Sequence, residues 1–368
     1  MSLCRNILTK KNFIDIISFT NIVKVVNIVK VLNRKALECV EIKFLKLPNI
    51  QKYEVTLRNE KGFVASVEMD DGFEFQIYAC TVDKAYPSTV MQLLEKNKDK
   101  DISILVAPYI SDRTAMICEK YGIGYFDYAG NCYFAGHSIY LSERGNKNLE
   151  PAKAPAASVF ERSSVVSSMI LREVFADITR PWKLKHLSEK VNCSIGQVSK
   201  VMDYLLTNAW AEKTKAGYLI SEPKLLLEEW SSVYGKKEMV QYPCYTLDSL
   251  PVLEEKLRLM KRDTGIDYYL SGIAGGVRYA PVVRYNKLHV YIAPEDMKEA
   301  ITYLELKEVS SGANVVILSL ENETYIKDSR VAGADMVVSP LQIYLDCMQI
   351  KGRGEEMAEA VLSKEILK

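Results

Sequence analysis

Residues 182–222 read WKLKHLSEKVNCSIGQVSKVMDYLLTNAWAEKTKAGYLISE. Leu184, Leu187 and Val191 recur at i, i+3 and i+7, giving a short helix one apolar stripe. Asn192-Cys193 interrupts the stripe, and Ser194 stands where an N-cap residue belongs. A second helix is predicted over 195–207, with Val198, Val201, Met202, Leu205 and Leu206 facing inward. Its other face opens with Gly196, Gln197, Ser199 and Lys200, all small or hydrogen-bonding. Two helices joined by a tight turn, the second polar at its exposed start, form a helix-turn-helix pattern. Residues 210–213 and 218–220 then read as two short strands around the basic, Gly-containing turn 214–217, which is the pattern of a wing. DNA contact is the expectation. A helical hairpin packed for structure alone, or a protein-docking winged helix, are the competing readings.

Working outward, 368 residues are enough for two or three domains with ample core. Apolar residues make up 48% and charged residues 26%, an ordinary globular balance. With a net charge of +1 there is no global field for nucleic acid, so a DNA site has to be a local patch. The eight cysteines contain no CxxC pair, and His137, His186 and His289 have no Cys or His partner at zinc spacing. The expectations are reduced thiols, no metal, no cofactor and a cytoplasmic chain. Residues 14–32 are apolar but interrupted by Asp15, Lys24 and Lys30, which fits neither a membrane span nor a signal peptide.

Residues 1–48 form an expected N-terminal helical segment, more basic than acidic, docking on the next domain in preference to a membrane surface. Residues 49–147 read as an α/β domain. Strands are predicted at 53–57, 63–68, 73–78, 102–107, 124–127 and 132–134, with helices at 87–97 and 111–120. The Pro- and Ala-rich stretch 147–157 reads as a linker. The winged helix-turn-helix domain is set at 158–235, with flanking helices at 162–178 and 225–234. The last domain, 240–368, alternates helices (250–262, 295–304, 340–348, 355–362) with strands (267–272, 288–293, 314–318), an α/β or α+β pattern.

Two constellations could carry chemistry. Glu74-Phe75-Gln76 on a strand, followed by a helix and a buried strand, is similar to the core of restriction-endonuclease-like nucleases. Those enzymes hold a divalent cation with an upstream acid, here Glu54 or Glu68, and an acid-x-Lys pair. Gln76 stands where the lysine should be, and a neutral amide cannot supply its charge. A fold kept for packing or DNA-backbone contact is favoured over an active metal-dependent nuclease. The second constellation is Leu270-Ser271-Gly272 with Gly275-Gly276, then 288–292, LHVYI. The layout is similar to a nucleotidyltransferase, but His289 and Tyr291 occupy the places of the Asp-x-Asp acids. A histidine and a phenol cannot hold two magnesium ions.

With those segments in place, the chain resembles the AbiEi-type antitoxins of bacterial type IV, or abortive-infection, toxin–antitoxin systems. The carrying motifs are VAPYIS at 106–111, GIGYFDYAGNCYF at 122–134, and the helix-turn-helix at 182–206. They continue with YLSGIAGGVRYAP at 269–281, SPLQIYLDCM at 339–348 and GRGEEMAEAVL at 352–362. The resemblance implies a winged-helix regulator joined to a nucleotidyltransferase-like domain without catalytic acids. It further implies autoregulation of its own operon and, in some members, neutralisation of a partner toxin. The 49–147 domain ahead of the winged helix departs from simple antitoxins.

The expected partner is thus double-stranded DNA, with a cognate toxin protein as the second. Winged helices often bind inverted repeats as dimers, so a homodimer is compatible, although no heptad repeat announces an interface. The expected DNA contacts are Gln197, Ser199 and Lys200 at base edges and phosphates, Ser194 at a helix-start phosphate, and Lys213 and Lys215 on the wing.

Overall fold

The computed structural model describes residues 34–59, 61–97, 102–147, 159–161, 164–235 and 239–367. The expected helix in 14–32 and most of the 147–157 linker lie outside the described residues. The chain is a mixed α/β protein and divides into two compact units, Met1–Ala154 and Pro155–Lys368.

In the first unit a helix, α1, spans residues 34–44. It leads into an antiparallel meander of β1 (Ile50–Asn59), β2 (Gly62–Met69) and β3 (Glu74–Thr81). Helix α2 (Pro87–Lys96) crosses to β4 (Ile102–Ala107), parallel to β3, and α3 (Asp112–Lys120) crosses to β5 (Gly124–Asp127), parallel to β4. The hairpin of β6 (Cys132–Gly136) and β7 (Ile139–Glu143) closes a seven-stranded sheet whose spatial order is the chain order. Period-two alternation sorts its faces. Phe63, Ala65, Val67, Phe75, Ile77, Ile104 and Val106 pack with Ala36, Val40 and Phe44 of α1. Leu105, Ala107 and Tyr125 point the other way, onto Val90, Leu93, Ala115 and Cys118 of α2 and α3. Strand β4 therefore buries both faces, which explains its continuous apolar run. Ser111 caps α3, its Oγ accepting from the Thr114 N–H at 3.3 Å.

The second unit begins with α4 (Val165–Phe175), α5 (Leu184–Val191) and α6 (Ile195–Thr207). A hairpin of β8 (Ala211–Lys213) and β9 (Tyr218–Ile220) follows, then α7 (Pro223–Tyr234). Asn192 ends α5 in the left-handed region (φ 54°, ψ 52°), so the chain reverses before Ser194 starts α6. Trp182 adds a third rung to the hairpin by exchanging hydrogen bonds with Tyr218 at 2.7 and 2.9 Å. Gly217 makes this approach workable: with φ at +146°, any Cβ there would sit 2.6 Å from the Trp182 carbonyl oxygen.

The rest of the unit is a seven-stranded mixed sheet, flanked by helices. Its strands are β10 (Gln241–Tyr245), β11 (Tyr269–Ser271), β12 (Leu288–Ile292), β13 (Lys307–Glu308), β14 (Val315–Ser319), β15 (Arg330–Ala332) and β16 (Asp335–Val337). The spatial order is β13-β10-β14-β12-β11-β16-β15. Its helices are α8 (Leu250–Thr264), α9 (Gly272–Tyr279), α10 (Met297–Tyr303), α11 (Pro340–Cys347) and α12 (Gly354–Val361), the last continuing as a π-helical turn over Leu362–Ile366. One hydrophobic core runs unbroken from Phe160 through Trp182, Leu205 and Trp230 to Leu270, Ile317, Leu345 and Ile366. The segments read separately as 158–235 and 240–368 thus share a core. The predicted helix over 162–178 is shorter, and the one over 295–304 splits into a 3-10 turn, Pro294–Asp296, and α10.

Candidate nucleic-acid interface

The inward face of α6 is sealed by Val198, Val201, Met202 and Leu205, all buried. Its first turn is exposed at Ser194, Ile195, Gly196, Gln197 and Lys200. A reciprocal capping box fixes that turn. Ser194 Oγ accepts from the Gln197 N–H at 3.2 Å, and Gln197 Oε1 accepts from the Ser194 N–H at 3.0 Å. Ser194 and Gln197, both expected DNA contacts, are exposed and hydrogen-bonded to each other. Ser199 donates to Asp203 Oδ2 at 3.1 Å, one turn along. Its hydroxyl is likewise committed locally, and Asp203 adds an exposed acid that the motif reading overlooked.

Helix α6 packs on β8, which brings the hairpin beside it. The tip, residues 214–217, is a four-residue turn closed by Thr214 N–H to Gly217 O at 2.8 Å and steadied by the Thr214 hydroxyl on the same oxygen at 2.9 Å. Lys215 is exposed at this tip, and Lys213 lies with its ammonium 5.6 Å from the Tyr218 ring centre. Sequence reasoning missed Arg180, whose guanidinium stacks 4.2 Å from the Trp182 ring and donates to His186 Nε2 at 3.0 Å. With exposed Lys183 and Lys185 it extends the cationic surface in the segment just before α5 and along it. Only the spacing R-x-W in the sequence could have pointed to it.

In the first unit, Glu54, Ser66 and Gln76 are cross-strand neighbours, as are Lys52, Glu68 and Glu74. The four candidate nuclease residues therefore share the sheet face opposite α1. Lys52 sits among the acids and pairs with Glu54 at 2.7 Å, a contact that raises the lysine and lowers the carboxyl from their ordinary pKa ranges. Gln76 Oε1 accepts from the Tyr78 hydroxyl at 2.8 Å. Among the described residues no group of three or more His, Cys, Asp or Glu side chains is placed to hold a metal ion.

In the C-terminal sheet, Ser271 and His289 are cross-strand neighbours on β11 and β12, Tyr291 lies two residues along β12, and the acid beside Ser271 and Tyr291 comes from α11. Asp346 on α11 accepts from Ser271 Oγ at 2.6 Å and from the Tyr291 hydroxyl at 2.9 Å. The Gln342 amide nitrogen, one turn earlier, lies 2.8 Å from Asp346 Oδ1, 2.8 Å from the Tyr234 hydroxyl and 3.1 Å from the Tyr291 hydroxyl, its two protons shared among these three oxygens. Burial and then the Asp346 charge push the Tyr291 phenol well above its ordinary value. Burial, reinforced by Lys287, pulls the His289 imidazole down to about 4, so it is neutral at physiological pH. Asp346 lies in the SPLQIYLDCM segment, where an acid on a helix carried no motif signal.

A protein-family model described as a transcriptional regulator, the AbiEi antitoxin of a type IV toxin–antitoxin system, matches residues 219–367. No curated protein and no solved structure matches the chain. Among the described residues no helix is long and apolar enough to cross a membrane. The family match starts at the second hairpin strand and covers α7 and the whole C-terminal sheet with its helices. Over that span the chain is similar to antitoxin-type regulators.

Proposed function

We propose that this protein is a DNA-binding transcriptional regulator of the antitoxin type, controlling its own operon through a winged helix formed by α4–α7 and the β8–β9 hairpin. The observation that carries this reading is the exposed first turn of α6, rigidly capped and flanked by the basic hairpin tip. Helix α6 enters the major groove, with Lys200 and the Gln197 amide nitrogen reaching base edges and phosphates. Asp203, one turn deeper, suits a cytosine amino group. Lys213 and Lys215 contact the backbone beside the groove, and Arg180, Lys183 and Lys185 extend those contacts. The description of the matched family supports the regulator and antitoxin parts of this reading, and with them a toxin as protein partner.

The test is binding of the purified protein to labelled upstream DNA, comparing wild type with Lys200→Ala and with Lys213→Ala/Lys215→Ala. Loss of affinity with an unchanged melting temperature supports the assignment. Unchanged affinity in both variants removes it.

The nuclease alternative draws less support. Lys52 neutralises Glu54, and Gln76 is held by Tyr78. We expect no magnesium-dependent DNA cleavage. Cleavage abolished by Glu74→Gln would reverse that ranking.

A further inference from the structure

A cavity of about 1240 Å³ lies in the second unit between the C-terminal sheet and the turn that joins α11 to α12. Its floor is one face of the sheet. Pro243, Val316 and His289 are lateral neighbours across β10, β14 and β12, and Gln241 and Leu318 form the next row. Around this floor the described residues place four cations from two loops: Arg284 and Lys287 ahead of β12, and Lys351 and Arg353 between α11 and α12. None of the four makes an ion pair with a described residue, in a chain whose net charge is only +1. Asp346 is the one carboxylate among the described lining residues, and it already accepts from Ser271, Tyr291 and Gln342.

Two further features point the same way. Gly272 and Ile273, the first residues of α9, line the cavity. Ser271 at the N-cap turns its hydroxyl to Asp346 and makes no capping bond, so the positive end of α9 faces the cavity uncapped. His289 is half-buried on the floor, and its Nδ1 has no hydrogen-bond partner among the described residues. Unpaired cations and an uncapped helix start at one place describe a receptor for negative charge.

The volume exceeds the roughly 300–1,000 Å³ usual for a small-molecule site. A bare phosphate chain would leave Met239 and the apolar floor residues Pro243, Val316 and Leu318 unused. We infer that this cavity binds a nucleoside polyphosphate, its phosphates held by Arg284, Lys287, Lys351, Arg353 and the start of α9, and its base against the apolar floor. The inference is independent of DNA binding, since no residue of α6 or the hairpin lines the cavity.

The experiment is isothermal titration of the full chain with ATP, GTP, CTP and UTP, and with inorganic tripolyphosphate, at constant ionic strength. The expected result is micromolar binding of at least one nucleoside triphosphate, at least tenfold tighter than tripolyphosphate. The variant Arg284→Ala/Lys351→Ala should weaken it at least tenfold, with the melting temperature retained. Lys213→Ala, on the hairpin, should leave it unchanged. Absence of millimolar or tighter binding by every nucleotide overturns the inference, as does wild-type affinity in the double variant. Equal affinity for tripolyphosphate overturns the nucleoside assignment.

Discussion

Arg172 on α4 donates a hydrogen bond to Gln342 on α11 at 2.5 Å, joining the helix that supports the winged-helix candidate to the C-terminal sheet and its helices. Both residues are buried. Burial lowers the guanidinium from its ordinary pKa range, while the nearby Tyr234 and Asp346 oppose that shift. Gln342 is the hub: its carbonyl faces Arg172, and its amide nitrogen serves Tyr234, Tyr291 and Asp346. Replacing it with Leu orphans several buried polar groups at once. The expected destabilisation is about 2–5 kcal/mol, read from urea or thermal unfolding. A change below about 0.5 kcal/mol, the scale of an ordinary surface substitution, would show that the cluster does not hold the unit together.

The capping box at Ser194 separates fold from function. Ser194→Ala should lower stability by about 1 kcal/mol through loss of the cap. Gln197→Glu keeps an acceptor for the Ser194 N–H and places a negative charge at a helix start, so stability should hold or rise slightly. The same charge opposes phosphate and should weaken DNA binding at least tenfold. Retained affinity in Gln197→Glu would mean that the start of α6 does not meet DNA.

The lysines should act through phosphate neutralisation. Each of Lys200→Ala, Lys213→Ala and Lys215→Ala should lower the slope of log affinity against log salt by about one. Fluorescence anisotropy across a salt series measures this directly. Slopes equal to wild type for all three would place these ammonium groups away from the backbone.

His289 makes stability depend on pH with a defined sign. The unfolded imidazole takes up a proton near pH 6.5, whereas the folded one refuses it until about pH 4. Stability is therefore full above pH 6.5 and falls as pH drops from 6.5 to 4, by about 3 kcal/mol from this group. The difference between wild type and His289→Gln, measured by unfolding at stepped pH, isolates that contribution. A pH-independent difference would mean that His289 titrates normally.

Much of the architecture was legible in the sequence because patterning and caps coincide. Strand β4 announces itself as an unbroken apolar run, and Ser111 and Ser194 mark helix starts that they do cap. Strand β7 was hidden because its turn uses His137 and Ser138, both at positive φ, where Asn-Gly would have signalled a hairpin. Strand β10 was obscured by Pro243 in its middle, and β13, β15 and β16 are two or three residues long.

Site residues were legible by type more than by use. Ser194, Gln197 and Lys200 sit at the exposed start of α6, but the cap engages the first two with each other. Asp346 and Arg180 went unseen because their partners lie far away in sequence or on an aromatic face that no spacing rule encodes. The cavity cations come from two loops, 284–287 and 351–353, which only the sheet topology brings together.

The most direct test of DNA recognition by α6 and the hairpin is a gel shift on the chain's own upstream DNA against an unrelated fragment, across a salt series. Selective binding that weakens steeply with salt and is lost in Lys200→Ala/Lys213→Ala/Lys215→Ala is the predicted result. Equal binding to both fragments, or none, by correctly folded protein would contradict it.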